Sequence, residues 1–332
     1  MNWILVLLLL AWSAVPITLL VLDRVFDVDS HRVIRFSGPA FTAVSVILLI
    51  VVANIDSKYV ELVAWGAVVG FIGTVTLDIV RLIGLKFGAF PLDMPIVFGA
   101  MATGTIRRFQ YLVMGQVLRN ELVEGGLDQF VAARVTTVPR LSERQRVNVG
   151  ATMMGAIATL EEQDAERVRK SQFDVLSSLE PVERQSVMAA MDAASSTSHP
   201  GQPRGLPRIP MAEFQRAADR AVGLYRNENP DGFRASFLSG YLWHAINGIS
   251  FGIMYALIFG QGSWGWALAW GVVVWLAMMI SMPFMMPSLK LPAWFPIVPF
   301  VAHVAMVLPF LALQVWVSDT AEAVSVVGWI AG

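Results

Sequence analysis

The chain has 332 residues, 56% hydrophobic and 15% charged, with no cysteine and a net charge of −1; its mean hydropathy is +0.61. A soluble domain carries about 25% charged residues, so the composition excludes a soluble enzyme, a disordered chain and a nucleic-acid binder. Without cysteine there is no disulfide, thiolate metal site, thiol nucleophile or iron–sulfur cluster.

In chain order, spanning helices are predicted at Asn2–Leu22, Pro39–Asn54, Val60–Leu85, Ser236–Phe259, Trp264–Met286 and Trp294–Val317, because a span needs roughly 20 mostly apolar residues. The first is read as a retained anchor: no basic residue precedes it, and the apolar run continues through Ala14–Leu22. The second is short and draws on flanking residues. Met94–Ile106 is apolar but only 13 residues long; at 1.5 Å per residue it is either a strained seventh span or a re-entrant piece.

Charge sits elsewhere. Arg107–Arg234 holds 17 of the 24 Lys and Arg and 16 of the 25 Asp and Glu. This insertion reads as helical. Ser142 and Gln145 form a capping-box pattern, a second helix is predicted near Ala165–Leu179, Pro181 opens a third over Val182–Ala194, and a fourth covers Met211–Asn227. Ser195–Pro210, rich in proline and small polar residues, is predicted to be a flexible loop. The expectation is an all-α polytopic membrane protein in three parts, 1–106, 107–235 and 236–332.

Arg107, Arg108, Arg119, Arg226 and Arg234 flank the insertion, so the positive-inside rule puts it in the cytoplasm of a multi-pass cell-membrane protein, with the C-terminus outside. A re-entrant Met94–Ile106 places Arg24, Arg32 and Arg35 inside and the N-terminus outside. A spanning one reverses both, and the rule favours the first.

Ionisable residues within spans are costly and mark functional sites. Asp78, His244 and His303 are the candidates, with Arg81 one turn after Asp78 and Asn247 beside His244. Gly66, Gly70, Thr74 and Asp78 recur at every fourth position, as do Gly240, His244, Gly248, Gly252, Ala256 and Gly260. Such rows lie along one side of a helix and allow close approach of helices in lipid, so these two helices are expected in the interior, packed on each other. In the re-entrant topology Asp78, His244 and His303 reach one level. His31 and His199 are read as solvated loop residues. Trp264, Trp266, Trp294 and Trp316 are read as interfacial anchors.

His244-x-x-x-Gly248-x-x-x-Gly252-x-x-Tyr255, with Gly73-Thr74-x-x-x-Asp78, resembles uncharacterised bacterial multi-span membrane proteins. The resemblance implies a bacterial inner-membrane setting and no activity, and the long polar insertion departs from their short-loop pattern. With no catalytic constellation in view, the first functional expectation is a non-enzymatic accessory or scaffolding component whose insertion binds a protein partner or a second copy. The second is a small transporter or proton/ion-coupled protein using the Asp/His cluster. The third is a haem- or metal-binding subunit, with the two histidines as axial ligands or joined by Asp78.

Overall fold

The computed structural model describes residues 2–26, 28–195, 208–286 and 289–331. Helices make up 84% of the described residues. The sheet among the described residues is a two-residue parallel pair, β1 (Ile209–Pro210) with β2 (Leu289–Lys290), so the fold is all-α. Among the described residues five helices are long and apolar enough to cross a membrane, and the protein is an all-α polytopic membrane protein.

The chain separates into two compact units. The first comprises Met1–Gly104, Ser236–Ser281 and Ala293–Gly332, the second Thr105–Ala235 and Met282–Pro292. Met282–Pro292, which the sequence reading groups with the C-terminal spans, thus belongs with the insertion, through the β1–β2 pairing.

The first unit opens with α1 (Trp3–Phe26), α2 (Ser30–Ile55) and α3 (Ser57–Lys86). The described apolar stretch of α1, Trp3–Leu19, is shorter than the five full-length candidates. The short second span of the sequence reading becomes 26 residues because the helix starts at Ser30, with the Asp29 carboxylate accepting from the Arg32 backbone N–H as N-cap. Only 6% of its apolar window is buried within the protein. A helix apolar all round and exposed along its length is what a lipid-facing span requires.

α4 (Met94–Ala102) has nine residues, all but its first and last buried. At 1.5 Å per residue it is about 14 Å long, too short to cross a bilayer core of about 30 Å. It is not a span but a short helix enclosed by protein. It ends in a turn at Gly104, where φ is +73°, so Arg107 and Arg108 open the next helix, α5 (Ile106–Glu124), rather than terminating this one.

In the second unit α5 is central, with Phe109, Leu112, Val113, Val117 and Leu118 all buried. Around it lie α6 (Leu127–Val135), α7 (Glu143–Ile157), α8 (Glu162–Ser178), α9 (Pro181–Ser195) and α10 (Met211–Glu228). The sequence reading finds the last four and misses α5 and α6. The capping box at Ser142 and Gln145 is present, with both side chains bonded to the opposite backbone N–H. Of the loop expected at Ser195–Pro210, residues 196–207 lie outside the described residues, as does His199; Ile209–Pro210 is β1.

α11 (Pro230–Phe259) and α12 (Trp264–Met285) follow. The last span, Ile297–Trp316, is composite. α13 (Ile297–Val307) tightens into a 3-10 turn over Leu308–Ala312 and resumes as α14 (Leu313–Trp316). Pro309 lacks the N–H that would continue the α-helical ladder. Two short helices, α15 (Asp319–Glu322) and α16 (Val326–Ala331), close the chain. Trp264, Trp266, Trp294 and Trp316 remain exposed at their helix ends.

Candidate functional site

The two rows of small residues meet. A methyl group built on Gly66 would touch the Gly252 carbonyl, and one on Gly70 the Gly248 carbonyl, both closer than any real contact. The order reverses along the two helices, so α3 and α11 run antiparallel, with backbones nearly touching. Thr74 fits beside Gly248 because its hydroxyl turns back to donate to the Gly70 carbonyl at 2.9 Å. One turn further along α3 stands Asp78, and one turn earlier on α11 stands His244. The glycines thus bring the backbones close enough for these longer side chains to meet.

His244 Nε2 donates to Asp78 Oδ1 at 3.0 Å. Arg81 Nε donates to the same oxygen at 2.9 Å, its Nη1 to Asp93 Oδ1, and its Nη2 to the Tyr241 hydroxyl at 3.2 Å. Tyr241 in turn donates to Asp93 Oδ2 at 3.2 Å. Arg81 is only 3% exposed, so its charge is compensated entirely by these partners. A buried guanidinium is tolerated only in such company. The Phe98 ring on α4 lies 6.2 Å from that of His244 and forms an apolar wall.

α4 is held in place by the same contacts. Methyl groups on Gly99 and Gly240 would collide with the Ser236 and Pro95 carbonyls, so α4 rests directly on the first turns of the α11 row. Asp93 is the N-cap residue of α4 but makes no side-chain cap bond; its carboxylate turns to Arg81 and Tyr241 instead.

Of the sequence candidates, the structure brings together Asp78, Arg81 and His244. His303, on α13, is buried, and its Nδ1 donates back to the Pro299 carbonyl of its own helix at 2.7 Å. Asn247 is buried with its Oδ1 unpartnered. Asp93 and Tyr241 are members the sequence reading misses, although Tyr241 lies three residues before His244 on the same helix side. His31 is not a solvated loop residue: it lies in the first turn of α2, and its Nδ1 donates to the Ala102 carbonyl at the end of α4, at 2.8 Å.

Among the described residues no three His, Asp or Glu side chains are placed to hold a metal ion. Between Asp78 and Asp93 the Arg81 guanidinium already stands where a cation would go. What the arrangement provides chemically is a largely buried chain of titratable groups, His244–Asp78–Arg81–Asp93–Tyr241, that links α3, α4 and α11. The chain matches no family model, no curated protein and no solved structure.

Proposed function

We propose that this is a proton-coupled integral membrane protein, in which the Asp78–His244 pair takes up and releases the proton. The observation that carries the reading is the charge balance of the cluster. Two carboxylates, Asp78 and Asp93, face one guanidinium, which leaves one negative charge uncompensated when His244 is neutral. A proton on the pair brings the cluster to zero, and Asp/His groups within spans commonly relay protons. Reconstituted into liposomes with a pH-sensitive dye inside, the protein is expected to move protons when a pH gradient is imposed. Asp78→Asn and His244→Gln are expected to abolish the flux while the protein still unfolds in one cooperative transition. Unchanged flux in both variants removes the reading.

The orientation proposed with it places the insertion in the cytoplasm and the C-terminus outside. The arginines flanking the insertion and the shortness of α4 support it. The cysteine-free chain makes the test direct: Ser177→Cys should label only from the cytoplasmic side and Thr320→Cys only from outside.

A second reading, an accessory or scaffolding role in which the insertion binds a protein partner or a second copy, is supported by the exposure of Val123, Phe173 and Val182 on the second unit. Purification in mild detergent with light scattering tests it; a chain that stays monomeric and alone removes it.

A further inference from the structure

The second unit contains a polar cleft of about 420 Å³ between α5 and α10, lined by Arg119, Asn120, Val123, Glu124, Arg216 and Arg220. Three guanidinium groups and one carboxylate line it. Arg216 lies 3.6 Å from Glu124, and Arg119 reaches Glu161 and Asp164 only at 3.9 Å. Arg220 pairs with no carboxylate among the described residues. Its Nη1 instead donates to Asn120 Oδ1 at 2.7 Å.

That bond fixes the orientation of the Asn120 amide. Arginine has only donors to offer, so the oxygen must face Arg220 and the NH₂ must face away. Asn120 is only 6% exposed, and its Nδ2 has no partner. A buried donor left unmade is costly, and the residues that line the cleft beside it are cationic. What satisfies such a set is an acceptor carrying negative charge and several oxygens.

We infer that this cleft binds the phosphate of a phosphomonoester, gripped by Arg119, Arg216 and Arg220 with the Asn120 amide as an added donor. Arginine forks match phosphate oxygens in pairs. The volume lies in the range of small-molecule sites, so there is room for the organic group that carries the phosphate. A soluble phosphomonoester and a phosphatidic-acid headgroup present the same chemistry.

The test uses the full chain, purified without phosphate and followed by melting temperature. One arm adds inorganic phosphate in detergent against potassium chloride of equal ionic strength. The other compares nanodiscs with and without phosphatidic acid. The wild-type chain is expected to be stabilised in at least one arm, at probe concentrations of about 1 mM in the first. Stabilisation by inorganic phosphate assigns a soluble ligand, and stabilisation by phosphatidic acid alone assigns a headgroup. Asn120→Asp, which keeps the shape but replaces the donor with a negative charge, and Arg220→Gln should each weaken the effect about 10-fold. No stabilisation in either arm, or equal stabilisation in Asn120→Asp, overturns the inference. If a variant fails to fold, Arg216→Gln, altering the exposed rim, replaces it under the same criterion.

Discussion

Replacing Gly252 by alanine tests whether the helix crossing creates the site. The added methyl would lie 2.1 Å from the Gly66 carbonyl oxygen and 2.6 Å from Gly70 Cα. Both obstacles are backbone, so no side chain can rotate away. Reaching an ordinary contact of about 3.5 Å requires α3 and α11 to separate by roughly 1 Å. Carried two turns along α11, the same shift lengthens the Asp78–His244 bond from 3.0 Å to about 4 Å, outside hydrogen-bond range. Overpacking of this kind costs about 1–3 kcal/mol. Equilibrium unfolding in mixed micelles, followed through the tryptophan fluorescence, measures that loss. A double-mutant cycle with Asp78→Asn then reads the coupling: the cost of removing the carboxylate should shrink toward zero once the helices are apart. Gly223→Ala is the control. Nothing lies within 4 Å of a methyl there, and in a helix it should gain about 0.8 kcal/mol. If Gly252→Ala is as stable as wild type, or Asp78→Asn costs the same in both backgrounds, the crossing does not position the pair.

Arg81→Met strands Asp78 and Asp93 without their cation and should cost about 3–5 kcal/mol in the same unfolding assay; adding Asp93→Asn should recover part of it. Ser142→Ala removes the α7 cap and should lower stability by about 1 kcal/mol, seen as a lower denaturant midpoint with unchanged slope. Burial beside α5 pushes the Glu213 carboxyl above its ordinary value, with Glu121 adding to the effect and Arg134 opposing it. The stability linked to its protonated form is present below about pH 4.5 and lost as the pH rises through the raised value. Glu213→Gln should therefore raise the melting temperature at pH 7, with the gain disappearing toward pH 4.

The helix pairing is legible because it is written as a repeat. Gly66, Gly70 and Thr74 on one helix and Gly248 and Gly252 on the other announce a close crossing, and the crossing implies that Asp78 and His244 approach. Asp93 escapes the reading because it sits in a turn whose own sequence is short and ambiguous; only the folded position of α4 aims it at Arg81. His303 joins no bond of the cluster because a carbonyl one turn back on its own helix captures its Nδ1–H, and local bonds of this kind leave no trace in spacing. The central helix α5 is missed for a different reason. Its middle, Leu112–Leu118, is buried on every side and shows no polar face against which to recognise a stripe, and its polar residues make it too hydrophilic to resemble a span.

The nine residues of α4 have a consequence for how the protein is made. On leaving the ribosome this helix is too short to be held by the bilayer on its own, and its backbone neighbours, Ser236 and Gly240, are encoded far downstream. At about 5–20 residues per second the delay before they emerge is roughly 10–30 s. During that time Asp93 has no completed cluster to join, Arg81 waits without Tyr241 and Asp78 without His244. The insertion therefore finishes synthesis, and has time to fold, before the membrane part can close around its charges. Ribosome-stalled intermediates ending before and after α11 should differ sharply in protease protection of the Met94–Ala102 segment.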